Sequence, residues 1–257
     1  MSFANVRSMT SAACLPRPLE SALFGIRITG ASISAPEQVD AALRARALGE
    51  FDLLIARAPS SAMDVVQAIE GAGGRLCDVL VTLERAIPLG GLVADPAAGA
   101  LIVREGRLSD ASQLHQLAVQ AFSGFHGHWH ADPKLSKSGA DELYALWASD
   151  LATRPTPGSI LLVAQSDDRE MAAFLAVAPD PAGTWSVPLT GVHPRHRGRG
   201  VLRQLLIEAS RRIAEAAPAI LHYETQLTNW PALRTVSRLD FVPVASRMTF
   251  HLWSTDR

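Results

Sequence analysis

The segment VHPRHRGRGVLRQLL (192–206) sets four arginines, Arg195, Arg197, Arg199 and Arg203, around two glycines, Gly198 and Gly200. It follows an apolar run, TWSVPLTGV (184–192), and opens another in which Leu202, Leu206, Ala209, Ile213 and Ala216 recur at helical steps until Pro218. The loop therefore reads as a turn from a strand into an amphipathic helix. Amides at a helix start lack an intrahelical acceptor and sit at the positive end of the dipole, so they attract anions. Glycine removes the Cβ that would hold a diphosphate off the main chain, and arginine adds charge-assisted hydrogen bonds. Diphosphate binding is the chemistry this spacing predicts. A Walker loop is excluded because there is no Gly-Lys-Ser/Thr, and a dinucleotide fingerprint because Arg203 stands where its third glycine belongs.

Within this loop the pattern V-x-P-x-x-R-G-x-G-V, with Arg195-x-x-Gly198-x-Gly200 inside it, resembles the pyrophosphate-binding motif of the GNAT (GCN5-related N-acetyltransferase) superfamily. Downstream, TNWPALRTVSRLDFVP (228–243) resembles the family's second motif, with Asn229 and Ala232 ahead of a helix that ends in a Gly-Phe-like pair, here Asp240-Phe241. The resemblance covers residues 101–257. It implies acetyl-CoA as cosubstrate, held by Gly191, Val192, Arg195, Arg197, Gly198, Arg199, Gly200, Val201 and Arg203. It implies too that the strand before the loop splays from its neighbour, so that the pantetheine arm pairs with Val192 and the main chain near Gly191. Asn229 then either hydrogen-bonds the cofactor arm or the adjoining strand, or simply caps its helix. Transfer would be direct: the amine adds to the thioester carbonyl and a main-chain amide near Val192 stabilises the oxyanion, with no covalent enzyme intermediate and no metal. One departure stands out, since Val236 occupies the position where many members carry the tyrosine that protonates the departing thiolate. Ser237 is turned by roughly 100° on the helix and faces elsewhere.

The acceptor is expected over AFSGFHGHWHADPKL (121–135) and DELYALWASD (141–150), the region that lies above the acceptor site in GNAT folds. Trp129, His130, Asp132, Tyr144 and Trp147 offer a stacking face with polar edges, as a sugar requires. The whole chain, including ESALFGIRI (20–28) and His130-Ala131-Asp132-Pro133, is similar to TDP-fucosamine N-acetyltransferases, which acetylate a nucleotide-linked 4-amino-6-deoxy sugar. A peptide, polyamine or drug amine is the alternative acceptor, and a non-catalytic acyl-CoA sensor the alternative outside enzymes. His193, His222, Glu224 and His130 are candidates for the base, directly or through water. A sugar amine with a pKa of roughly 8 would need little help from it.

The elements around the loop follow from periodicity. Runs at 160–165, 171–177 and 184–192 read as an antiparallel meander, preceded by a strand at 101–105 and a helix capped by Ser109 or Asp110. A strand at 220–227, a short helix opened by Asn229 and Pro231, and a strand at 242–253 close the chain. Residues 86–100, rich in Ala, Gly and Pro, read as the boundary between an N-terminal α/β domain (1–92) and a GNAT domain (100–257). The fold class expected is α+β, with a central mixed, mostly antiparallel sheet flanked by helices. Setting Gly74 against Phe241 superposes two strand-helix-strand segments, Leu53 on Ile220, Ile69 on Val236 and Leu83 on Phe250, either as a partial GNAT-like repeat or as generic β-α-β patterning.

Composition narrows the partners. With 24 basic and 25 acidic side chains in 257 residues the net charge is −1, which lacks the positive field that nucleic-acid binding needs. No apolar run approaches the roughly 18 residues of a membrane span, so no membrane partner is expected. Cys14 and Cys77 are too sparse for a disulfide framework and lack metal-ligand spacing, which suits a reducing cytoplasm. Ser11-Ala12-Ala13-Cys14 has no apolar segment ahead of it and reads as an unstructured N-terminus. The expected partners are a small-molecule amine, a nucleotide sugar among them, and a second copy of the chain in a homodimer.

Overall fold

Proline starts the first helices where a missing N–H costs nothing. In the computed structural model, which describes residues 14–93, 101–166, 168, 170–215 and 217–254, α1 (Pro18–Phe24) and α2 (Pro36–Ala47) both carry it in their first turn. Around them run β1 (Leu15–Pro16), β2 (Ile28–Ser32), β3 (Leu53–Pro59), α3 (Met63–Gly71) and β4 (Arg75–Ile87). Then come β5 (Ile102–Glu105), α4 (Ala111–Ala121), α5 (His128–Ala131), α6 (Lys137–Thr153), β6 (Ile160–Gln165), β7 (Met171–Pro179) and β8 (Trp185–Val192). The chain ends with α7 (Val201–Ile213), β9 (Ala219–Gln226), α8 (Trp230–Ser237) and β10 (Val242–Trp253). Ala216 and residues 11–13 and 94–100 fall outside the described residues.

The chain groups into two compact units that interleave in sequence. Of the described residues, one unit, the loop unit, takes those within 82–125 and 141–244; the other, the N-terminal unit, takes 14–81, 126–140 and 245–254. Each unit draws on more than one stretch of the chain. The physical reason is strand exchange: the end of β10 pairs antiparallel with β3, from Arg247↔Pro59 to Trp253↔Leu53, so the last strand of the chain completes the N-terminal unit.

In the loop unit the meander is as expected, with β5, β6, β7 and β8 each antiparallel to the next. β7 is buried along Met171–Ala178, the continuous apolar run of a strand covered on both faces. α4 and α7 pack on it through Leu114, Leu117 and Ala118, and through Leu205, Leu206 and Ala209, all buried. Asp110 stands at the start of α4, but its carboxylate receives Arg104 at 2.8 Å through both oxygens and the Arg107 amide at 2.7 Å. Those bonds hold its pKa below the ordinary carboxylate value despite burial. α6, which from residue 141 on belongs to this unit, has Leu143, Tyr144, Ala145 and Ala148 buried.

The N-terminal unit has its own core, in which Ile33, Val39, Phe51, Leu54, Val65, Ile69, Phe250 and Leu252 are all buried. Here β2 runs parallel to β3 over five paired residues, Ile28↔Leu53 to Ser32↔Arg57. Among the described residues no helix is long and apolar enough to cross a membrane.

Candidate functional site

The glycine loop hangs from a seam in the loop unit's sheet. β8 and β9 are parallel and eight residues each, yet their ladder holds only Trp185↔Leu221 and Ser186↔His222. On the other side of β8 the register to β7 shifts between Ala176 and Ala178, an extra β8 residue beside Pro188, which has no N–H to give. Bulge and proline lie where the pairing of β8 with β9 stops. The two strands beyond Ser186 and His222 thus present facing backbone edges to an open wedge.

At the tip of the wedge His193 begins a 3-10 turn (Pro194–His196), and the chain then enters α7 through Gly198 at φ 72° and Gly200 at φ 76°. A Cβ at either glycine would point into open space, so left-handed backbone, rather than crowding within the protein, is what selects glycine here. No side chain caps α7, whose N-cap is Gly200 itself, and its first amides are left for a ligand. Arg195 and Arg199 are exposed beside them, and Arg203 is half-buried one turn on.

Arg197 does other work. Its guanidinium donates to the carbonyls of Val192 at 3.3 Å and Ala121 at 2.6 Å, tying the loop to the end of β8 and to α4. Gly191 is likewise a packing requirement: a Cβ there would lie 2.6 Å from Phe174 Cε1. Val192 sits at the strand end paired with Ala173, and Val201 is buried under the first turn of α7.

Of the candidate bases, His193 uses its Nδ1 lone pair to accept the Arg195 amide at 3.1 Å. A neutral ring then carries its proton on Nε2, and its basic atom is spent on the turn. Burial, then the nearby His196 and Arg195 charges, lower its pKa. His222 pairs with Glu84 at 2.9 Å, at the closed end of the seam. Glu224 lies two residues further, in the unpaired stretch of β9, half-buried and accepting from Thr82 Oγ1 at 3.2 Å. Asn229 is the N-cap of α8, accepting from the Ala232 amide at 3.4 Å and donating to Thr225 Oγ1 at 2.9 Å, so both ends of its amide are engaged within the protein. Val236 is fully buried.

The residues proposed for the acceptor divide between the two units. Trp129, His130 and Asp132 belong to the N-terminal unit, and Tyr144 and Trp147 to the loop unit. Trp129 is 0% exposed and stacked on Phe24 at 5.4 Å, so it has no face to offer a sugar. Asp132 is 2% exposed, accepting from His251 at 2.7 Å, Trp253 at 2.9 Å and the Lys134 amide at 2.9 Å. Burial alone would raise its pKa, but these bonds hold it down to about 2. His130 lies edge-on to His126 at 6.1 Å. In the loop unit Tyr144 is buried against Phe122 at 4.7 Å, with Trp147 edge-on to it at 5.2 Å. One residue that the sequence reading leaves out is Tyr223, buried in the open stretch of β9, its phenol kept protonated by burial. The alternation Leu221, Tyr223, Thr225 was the signal that places it on the strand's inner face.

No family model matches the sequence, and no curated protein does. Solved structures match the fold. A GCN5-related N-acetyltransferase from Sphaerobacter thermophilus gives a TM-score of 0.57 at 15% identity over 79% of this chain, which spans 60% of that protein's length. Another, from Kribbella flavida, gives 0.59 at 14% identity, covering 88% of this chain and 80% of its own. This chain has the GNAT fold. A tandem GNAT protein from the clavulanic acid biosynthesis pathway also matches, with a TM-score of 0.55 at 15% identity, covering 90% of this chain and 79% of its own.

Proposed function

We propose that this chain transfers an acyl group, acetyl in the simplest case, from acyl-CoA to a primary amine. The observation that carries this reading is the open wedge between β8 and β9 running into a glycine turn with an uncapped helix start. A diphosphate fits the amides of α7 beside Arg195 and Arg199, and an amide-bearing arm fits the unpaired edges as an added strand. Gly198, Gly200 and Val201 would hold the diphosphate, and Val192 would face the thioester. The ammonium first gives one proton to Glu224, the amine nitrogen then forms a bond to the thioester carbon, and as the carbon–sulfur bond breaks the second nitrogen proton passes to the departing thiolate.

The acceptor is a primary amine. A nucleotide-linked amino sugar is the narrower proposal; with Trp129 and Asp132 buried, it rests on the sequence resemblance and on Trp147. A peptide, polyamine or drug amine keeps the same chemistry. The buried valine at 236 favours a second reading, an acyl-CoA sensor without turnover.

Calorimetry with acetyl-CoA, followed by thiol release against a panel of amines, separates these readings. Binding is expected, and Gly200→Val, which puts a β-branched residue at φ 76°, should weaken it at least tenfold in a folded protein. Unchanged affinity in that variant would place the cosubstrate elsewhere. Binding without thiol release from any amine would favour the sensor.

A further inference from the structure

We infer that Cys77, Asp132 and His251 form a zinc-type metal site in the N-terminal unit, away from the glycine loop. The thiol sulfur, a carboxylate oxygen and a ring nitrogen of these residues all lie within 4.8 Å of one another. They come from three separate stretches, β4, the turn after α5 and the end of β10, so the fold rather than a sequence motif gathers them. Asp132 and His251 are 2% and 0% exposed, and Cys77 is half-buried.

The donor set selects the metal. Thiolate with imidazole suits zinc and other borderline-soft cations and does not suit calcium or magnesium. Bonds of about 2.3 Å to sulfur and 2.0–2.2 Å to nitrogen and oxygen separate tetrahedral ligand atoms by roughly 3.3–3.7 Å. The three atoms lie within 4.8 Å of one another, so a cation would draw each pair to that spacing by a shift of no more than roughly 1.5 Å. The His251 Nδ1 to Asp132 Oδ2 distance, 2.7 Å, is that of a shared proton. It must open by roughly 1 Å when a cation takes the proton's place.

The surroundings supply the orientation that ligands need. His251 Nε2 lies 2.8 Å from His128 Nδ1, so it can donate outward while Nδ1 turns to the metal. Trp253 Nε1 at 2.9 Å and the Lys134 amide at 2.9 Å brace the carboxylate. A cavity of about 550 Å³ reaches Asp132 and His251, leaving room for a fourth ligand. Arg46, Arg75 and Lys134 line the same cavity, which suits an anionic one. On binding, the thiol proton leaves to solvent, the His251 ring proton moves from Nδ1 to Nε2 and His128 turns from donor to acceptor by moving its own proton to its Nε2, so that thiolate and carboxylate together balance the two positive charges of the ion.

Titrating the metal-free full chain with Co²⁺ tests this. One equivalent should bind with a sulfur-to-cobalt charge-transfer band and tetrahedral d–d absorption, and Zn²⁺ should bleach both. Cys77→Ser should abolish the charge-transfer band, and Asp132→Asn should weaken binding about tenfold or more. Cys77→Ser is the safer variant because the thiol is only partly buried, and circular dichroism confirms that it folds. Absence of the band in the parent protein, or Co²⁺ binding that Cys77→Ser leaves unchanged, overturns the site and leaves His128, His251 and Asp132 as a hydrogen-bonded brace of the core. Acetyl-CoA affinity is a separate reading in the same samples, so failure of the metal site and failure of the acyl-CoA site are distinguishable.

Discussion

Two parallel seams, one in each unit, differ in the feature that matters. β2 and β3 stay paired over five residues, whereas β8 and β9 part after two. The helices that follow differ in the same sense. α2 begins at Pro36, and its own Gln38 side chain folds back to accept from the amides of Ser34 at 2.7 Å and Ala35 at 3.2 Å. α7 begins at a left-handed glycine with no side chain over its amides. One seam is closed and plugged by the chain itself, the other open at both the sheet edge and the helix start. An acyl-CoA site needs the second arrangement and is contradicted by the first.

The largest effect expected from that contrast is chemical. Glu224 lies in the unpaired stretch of β9, and general-base assistance is typically worth about 10²–10⁴ in rate. Glu224→Gln should lower kcat by that order with acetyl-CoA affinity nearly unchanged, measured by steady-state kinetics across pH. A fall of less than about threefold would return the proton to solvent or to the thiolate.

A smaller effect is expected where the two units agree. Ile69 in α3 and Val236 in α8 occupy matching places on their helices and are 1% and 0% exposed. Val236 is thus core, and Val236→Tyr should cost about 1–3 kcal/mol by overpacking without raising kcat. Melting temperature and turnover measured together decide it. A stable variant with higher kcat would show that the phenol reaches the sulfur and that this chain lacks only its acid.

Gln38→Ala probes the closed seam. Removing the plug should cost about 0.5–2 kcal/mol, the worth of a helix cap, and should not create a second acetyl-CoA site. Calorimetric stoichiometry checks this, since β2 and β3 remain paired. A second binding event would mean that the plug alone keeps the N-terminal unit empty.

Most of the strands were legible in the sequence because alternation and turn residues are local. The meander at 160–192 and the helix opened by Asn229 needed nothing beyond that. The burial of Trp129 was not legible, because it depends on Phe24, far away in the chain. Nor was the assembly of Cys77, Asp132 and His251, whose contacts cross long stretches of sequence. The wedge itself was expected only through the family motif; the residues where the pairing stops, Pro188 and the bulge beside it, signal a strand irregularity and not its direction.

The two strand-helix-strand segments agree most closely at a turn that periodicity could not weigh, and the smallest predicted effect lies there. Gly74 N bonds to Ile69 O at 2.9 Å and Gly73 N to Glu70 O at 2.9 Å; Phe241 N bonds to Val236 O at 3.2 Å and Asp240 N to Ser237 O at 3.1 Å. Each helix therefore ends in the same way, as the alignment of Gly74 with Phe241 requires. The residue in left-handed backbone is Gly73, at φ 85°, in one and Asp240, at φ 56°, in the other. Among the described residues Asp240 is the sole non-glycine with positive φ. An L-residue pays about 1–2 kcal/mol in that region, aspartate somewhat less, while glycine gains freedom in the unfolded chain. The exposed Arg85–Asp240 pair at 3.6 Å offsets little of this. Asp240→Gly should accordingly stabilise the protein by about 0.5 kcal/mol, and Gly73→Ala should destabilise it by about 1 kcal/mol, read from urea midpoints at constant slope. Opposite signs are what two copies of one helix end demand. If Asp240→Gly destabilised the protein instead, the aspartate would be serving its turn through its side chain, and the likeness of the two segments would stop at their backbones.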